Sequence, residues 1–269
     1  MINKNQLRPF EFPGLIHCGN KKSDGGYVVP LRYVEQADVL LSLGLALEWT
    51  FDAEFKVRND DVRIIGVDHS ISSRVILQKL ARYHFKVAYY TMMRNAKKIA
   101  QYQKLLATYH LYWVLFSSPS MHVKKMVTAK DGPGTVSFDT LMQIAGPARE
   151  HGVFLKMDIE GSEYDVIPSI VAHEKSISVV TAEFHDLENG SEVFNRGIEQ
   201  LLQAFEIVHI HGNNCGSYSA ADDFPAVVEI TFVNKALFGE PPVPSQHSYP
   251  RVGLDIPNSF GIDDYPLRF

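Results

Sequence analysis

The 269-residue sequence is 45% hydrophobic and 21% charged, with 18 glycines and 14 prolines, a globular composition that excludes a disordered or collagen-like chain. A formal net charge of −5 and an isoelectric point near 6.1 leave no electrostatic footprint for nucleic acid, which is excluded as the expected partner. The short pairs Lys21-Lys22, Lys97-Lys98 and Lys124-Lys125 read as solvated surface.

Cys18 and Cys215 make no disulfide framework and fit a reducing, cytoplasmic setting. The first residues lack the apolar stretch of a signal peptide, and no run approaches the ~18 apolar residues of a transmembrane segment. One domain over residues 1–269 is expected, with an N-terminal arm to residue 35, a core over 36–234 carrying an insert around 91–135, and a C-terminal arm over 235–269. Both arms are rich in turn formers, yet carry aromatics such as Phe10, Phe12, Tyr249 and Phe260, and so should lie over the core.

In chain order, the first short apolar run is Val39-Leu40-Leu41-Ser42, followed by Arg63 to Val67. Val153 to Met157, Val179 to Phe184 and Ile207 to His211 continue the series, as buried strands of a parallel sheet do. Helical periods separate them: Val75, Ile76, Leu80 and Tyr83; Ile99, Tyr102, Leu106 and Tyr109; Phe194, Ile198, Leu201 and Phe205. The last run, Ala226 to Val233, follows a non-helical loop and is expected to pair antiparallel. The fold class is therefore α/β: a class I methyltransferase-like (Rossmann-like), mostly parallel seven-stranded sheet, helices on both faces, with an antiparallel last strand.

Ligands of such sheets bind beyond the carboxyl ends of the strands. The first turn there, Leu43-Gly44-Leu45-Ala46, has one glycine where the chain leaves the strand and lets a ligand approach its backbone; Ala46 stands where a dinucleotide fingerprint has a second. The next strand ends in Asp68-His69, about twenty residues on, where a carboxylate can accept both hydroxyls of a ribose or else cap the helix that Ser70, Ser72 and Ser73 introduce. Leu43, Gly44, Ala46, Asp68 and His69, with Asp158 from the neighbouring strand end, are the expected cofactor contacts.

The most informative segment is Phe154 to Glu163, an apolar strand running into Asp158, Glu160, Gly161 and Glu163. Charges that close a buried strand need ligands, metals or hydrogen bonds around them, although Asp158 and Glu160 also suit the cap of a following helix. The next strand ends Glu183-Phe184-His185-Asp186, and alternation places Glu183 and His185 on one side. His209-Ile210-His211-Gly212-Asn213-Asn214 ends another; His211, Asn213 and Asn214 are candidates for holding an acceptor, with a buried histidine and a plain turn as the competing readings. Tyr112 and Trp113 in the insert either stack on a sugar or pack in the core.

These blocks resemble the FkbM-type methyltransferases: Leu155 to Glu163, Glu183-Phe184-His185 and His209 to Asn214, with weaker echoes at Asp24 to Tyr27, Ser42 to Gly44, Thr135 to Asp139, Glu229 to Phe232 and Leu254 to Asn258. The resemblance implies S-adenosylmethionine as cofactor and methyl transfer to a hydroxyl of a sugar, glycan or related small molecule, as in surface polysaccharide synthesis. A hydroxyl needs a base or a metal to become nucleophilic. His185 is the candidate base, oriented by Glu183 or Asp186, with Asp158 and Glu160 in the catalytic group; alternatively Asp158, Glu183 and His185 hold a divalent cation such as magnesium or manganese. The competing functions are a nicotinamide-dependent oxidoreductase, which the missing glycine disfavours, and a nucleoside-binding domain without catalysis.

Overall fold

The structure is a computed structural model that describes residues 1–22 and 24–269. A hairpin of β1 (Leu15–Gly19) and β2 (Gly26–Pro30) leads through α1 (Leu31–Gln36) to β3 (Val39–Leu43), α2 (Thr50–Arg58) and β4 (Arg63–Val67). Two long helices, α3 (Ser73–Met92) and α4 (Ala96–Leu115), precede β5 (Met121–Val123) and the small parallel pair β6 (Met126–Thr128) and β7 (Thr135–Ser137). Then come α5 (Phe138–Ala145), β8 (Val153–Met157), α6 (Glu163–Ala172), β9 (Ile177–Phe184), α7 (Leu187–Leu201) and β10 (Phe205–Gly212). The two-residue strands β11 (Tyr218–Ser219) and β12 (Phe224–Pro225) and finally β13 (Val228–Asn234) complete the regular structure.

The central sheet has the order β10-β13-β9-β8-β3-β4-β5. Strands β5, β4, β3, β8 and β9 are parallel, whereas β13 inserts between β9 and β10, antiparallel to both. Numbered along the chain, this is the class I methyltransferase sheet, with the last strand inside rather than at the edge. Continuous apolar strands make it possible because both faces are covered. On one face Leu41, Leu155 and Phe184 pack beneath α5, α6 and α7; on the other Leu40, Phe154 and Val179 meet Tyr27, Trp49 and Phe55.

The sequence pattern misses two features. The N-terminal arm contains a real hairpin, β1–β2, whose residues Tyr27 to Val29 are buried on the sheet; the Thr231 hydroxyl donates to the Val28 carbonyl at 2.7 Å. Strands β5, β6 and β7 are three residues each, too short for a period. The insert is a helical hairpin, and its second helix runs to Leu115. The C-terminal arm bridges to the N-terminal segment at Phe10–Pro244 and to itself at Tyr249–Leu267, and it meets the sheet through Asp255 on His209 and Asp264 on His211.

Candidate active site

Two crevices open beyond the carboxyl ends of the strands, and Asp158 lines both. The larger, about 380 Å³, is walled by Val67, Met126, Val127 and Ile159 and edged by Asp68 and His69. Gly44 follows β3 with φ +77°, and a Cβ there would collide with the Asp158 carbonyl oxygen. Glycine is thus required by the positive φ and by the close approach of two strand ends. Lys156, buried beside it, donates from Nζ to the Gly44 carbonyl at 2.6 Å. Gly44 and Ala46 line the crevice and His69 sits on its exposed rim, while Leu43 is buried in the sheet.

Asp68 ties this turn together. Its Oδ2 accepts from the amides of Leu45 and Ala46 at 3.0 and 2.8 Å, and its Oδ1 accepts from the amide and hydroxyl of Ser70, both at 2.6 Å. Burial opposes ionisation, but these hydrogen bonds outweigh it and hold the carboxyl below the ordinary aspartate value. The helix-cap alternative belongs instead to Ser72, whose hydroxyl accepts from the Val75 amide.

The smaller crevice, about 210 Å³, is lined by Asp24, Asp158, Glu160, Glu183, His185 and Asn213, among others. Register explains the crowding: Glu183 of β9 lies directly opposite Glu229 of β13, which lies opposite His211 of β10. Like charges in such positions repel, and burial together with the nearby Asp158 and Glu229 carboxylates raises the Glu183 carboxyl well above its ordinary value. Asn213 donates to Glu183 Oε1 at 2.8 Å, and Asn258 of the C-terminal arm donates to Glu229 Oε1 at 2.6 Å and to Asp24 Oδ1 at 2.8 Å.

His185 enters from the end of β9. Its Nδ1 lies 3.0 Å from Glu163 Oε1, and its Nε2 faces Glu160 and Glu183 at 3.6 Å each and Asp158 at 3.9 Å. The same Glu163 oxygen accepts from the amides of Ile159 and Gly161, at 3.2 and 3.1 Å, so a fully buried carboxylate at the start of α6 shapes the Asp158–Gly161 turn and orients the imidazole at once. With Nδ1–H donated to Glu163, Nε2 is the atom that faces the crevice. Burial alone would lower the His185 pKa, but Glu163, Asp158 and Glu160 together raise it.

The geometry brings Asp158, Glu183 and His185 together: one ligand atom from each lies within 4.8 Å of the others. Donors about 2.1 Å from a hexacoordinate cation stand roughly 3.0 to 4.2 Å apart, and the His185 Nε2 distances of 3.6 Å to Glu183 and 3.9 Å to Asp158 fall in that range. A second group, Asp24, Glu183 and Glu229, shares Glu183.

Other candidates sit elsewhere. Both His211 ring nitrogens are occupied, by Glu229 at 3.2 Å and Asp264 at 2.9 Å, and Asn214 is buried against the backbone of Ser259 and Ile262. These two pin the C-terminal arm and do not line the crevice, whereas Asn213 does. His209 is a buried partner of Asp255 at 2.7 Å. Asp186 adopts a left-handed conformation and bonds Asn189, leaving the orienting role to Glu163. Tyr112 is buried, with its hydroxyl 2.7 Å from His122, and Trp113 lies on the outer face of α4. Sequence reasoning missed Glu163, Asp24, Glu229 and Asn258 as site residues; the order of the family-like blocks was the one signal pointing to them.

No protein-family model matches the chain, and no curated protein matches it. Among solved structures it is similar to a precorrin-6y C5,15-methyltransferase from Geobacter metallireducens, at 13% identity over 76% of this chain and 84% of that one, with a TM-score of 0.39. It is also similar to an O-methyltransferase from Bacillus cereus in complex with SAH (9% identity, 76% and 77% coverage, TM-score 0.35). A third is a point mutant of the 16S rRNA (adenine(1408)-N(1))-methyltransferase from Catenulisporales acidiphilia (8% identity, 82% and 97% coverage, TM-score 0.31). At these values the likeness is one of chain path alone.

Proposed function

We propose that this chain is an S-adenosylmethionine-dependent O-methyltransferase acting on a hydroxyl of a sugar, glycan or related small molecule. The observation that carries the reading is the convergence of Asp158, Glu183 and His185 beside the Gly44–Asp68 crevice, with Asp158 common to both. A nucleoside and an acceptor would thus meet across one carboxylate.

The crevice suits the cofactor. Its apolar walls accept a purine, and a ribose hydroxyl can replace the Ser70 hydroxyl on Asp68 without leaving that carboxylate short of donors. S-adenosylmethionine supplies an electrophilic methyl carbon when bound, so the protein's part is alignment and removal of the acceptor's proton. His185 Nε2 takes that proton, and Glu163 fixes the ring and stabilises the imidazolium that results. A divalent cation held by Asp158 and Glu183 would offset the Asp158 charge that helps raise the His185 pKa, and would lower the pKa of an acceptor hydroxyl.

His185 as a third metal ligand is the second reading, favoured by the fit of its Nε2 to the ligand set. One atom cannot both ligate and accept the proton. Manganese binding retained in His185→Ala supports the base; manganese binding lost supports the ligand.

The test of the whole reading is calorimetric titration with S-adenosylhomocysteine, with and without magnesium or manganese. Micromolar binding that weakens in Asp68→Ala is expected. Absence of binding under every metal condition, or binding of NAD in its place, overturns the reading.

A further inference from the structure

The insert between β4 and β5 is a surface that the site does not use. From residue 81 to residue 105, covering the outer part of α3, the turn and the start of α4, no residue is buried. Ile76 and Leu80 anchor α3, and Leu106, Tyr109, Tyr112 and Leu115 anchor α4. Beyond them the two helices hold mainly to each other, Tyr83 and Tyr90 packing on Tyr102. At 1.5 Å per residue the arm extends α3 by about 18 Å past its last buried anchor.

The composition of this arm is unlike the rest of the chain. Residues 73–116 contain eight lysines and arginines and no aspartate or glutamate. The remainder carries 18 lysines and arginines against 31 aspartates and glutamates, a charge of −13. The pair Lys97-Lys98, read from sequence as solvated surface, thus belongs to a continuous basic element.

The arm also exposes large apolar side chains where nothing in the fold covers them. The 3.6-residue period puts Leu77, Phe85, Tyr89 and Met92 on one arc of α3, away from the Ile76–Leu80–Tyr83 seam that faces α4. Lys79, Arg82 and Lys86 border that arc. Phe85 is 69% exposed, Met92 74% and, in the turn itself, Met93 57%. Arg94, Lys97 and Lys98 follow immediately. Ordinary surface helices mix both signs of charge and hide such side chains.

We propose that the α3–α4 hairpin is a docking arm for an anionic lipid bilayer, with Phe85, Tyr89, Met92 and Met93 entering the interface and the lysines and arginines lying among the head groups. Two observations favour this partner over others. A nucleic acid or an acidic protein would satisfy the charge but leave the methionine-bearing tip in water. A neutral apolar partner would take the tip but gain nothing from a wholly basic arm. A charged membrane interface satisfies both at once. The charge division adds orientation: an anionic surface attracts the arm and repels the −13 body, so the protein approaches tip first. No helix is long and apolar enough to cross the bilayer among the described residues, so the arm lies in the interface.

The experiment is flotation of the full chain with vesicles of phosphatidylcholine alone or mixed with phosphatidylglycerol. The intact protein should float with the mixed vesicles, less with phosphatidylcholine alone, and less as salt rises. Met92→Glu combined with Met93→Glu should weaken binding about tenfold or more. Lys97→Gln and Lys98→Gln should each weaken it about fivefold. Met92, Met93 and Lys97 are exposed and Lys98 half-buried, and circular dichroism checks that each variant keeps its helices. No flotation with phosphatidylglycerol vesicles overturns the proposal, as does flotation that the double glutamate variant retains. Concentration-dependent self-association that this variant abolishes, without vesicle binding, assigns the arm to a second copy of the chain instead. Binding of RNA in place of vesicles likewise overturns it.

Discussion

The two halves of the crevice treat their carboxylates in opposite ways. At the ends of β3 and β4, both oxygens of Asp68 have donors, two backbone amides on one side and Ser70 on the other. At the ends of β8, β9 and β13, carboxylates face one another: Glu183 opposite Glu229, with Asp158 and Asp24 beside them. The first half is complete as a protein structure and holds its shape without help. The second sets four carboxylates side by side among Asn213, Asn258, His211 and Lys156, and a further proton or cation would ease their repulsion.

The largest expected effect tests the second half. His185→Ala should lower methyl transfer to a responsive sugar hydroxyl by about 10²- to 10⁴-fold, and Glu163→Gln by about 10- to 100-fold. In both variants affinity for S-adenosylhomocysteine should stay near that of the intact protein, measured by calorimetry. Equal loss of cofactor affinity would erase the distinction between the halves.

A smaller effect sharpens the contrast from the other side. Asp52 of α2 is a buried carboxyl beneath the cofactor half, and its Oδ1 has no partner. Burial pushes it up to about 6, against the opposing pull of Lys156. Its unfolded value is about 3.9. The unfolded chain therefore releases this proton first as pH rises, so the contribution to stability falls between about pH 4 and pH 6 and is flat above. Asp52→Asn should remove that decline, about 3 kcal/mol in all, read from urea unfolding at a series of pH values. An unchanged slope would mean that the cofactor half has no such exception.

The smallest effect concerns the repulsion itself. Glu183→Gln should stabilise the metal-free protein by about 1 kcal/mol, roughly 2–4 °C in Tm for a domain of this size. The intact protein should gain Tm on addition of manganese, and the variant should not. A variant that is less stable without metal would show that Glu183 is already satisfied.

The sheet was legible in the sequence because strands covered on both faces read as unbroken apolar runs, and because a loop without a helix requires the antiparallel last strand. The β1–β2 hairpin was not, since Gly14, Gly25 and Gly26 surround strands that only tertiary packing buries. Period-2 alternation placed Glu183 and His185 on one side and Phe184 in the opposite core, as observed. Glu163 escaped because an acidic residue in a helix's first turn is ordinary; only the backward reach of its side chain to Ile159, Gly161 and His185 reveals its work. Asp24, Glu229 and Asn258 could not be joined by spacing at all, because the sheet register and the returning arm bring them together.

That returning arm has a consequence for how the molecule comes into being. Asn258 reaches Asp24 across 234 residues of chain, and Asp264 reaches His211 only once β10 is seated. Closure at such separations carries a large entropic cost that local helices and neighbouring strands do not meet. The Asp24–Asn258–Glu229 part of the acidic cluster therefore assembles only with the two arms in place, like the Arg8–Ser245 and Phe10–Pro244 contacts beside it. A chain halted before its last segment docks would have its sheet and the Asp158–Glu183–His185 group, but not the Asn258 amide that links Asp24 to Glu229.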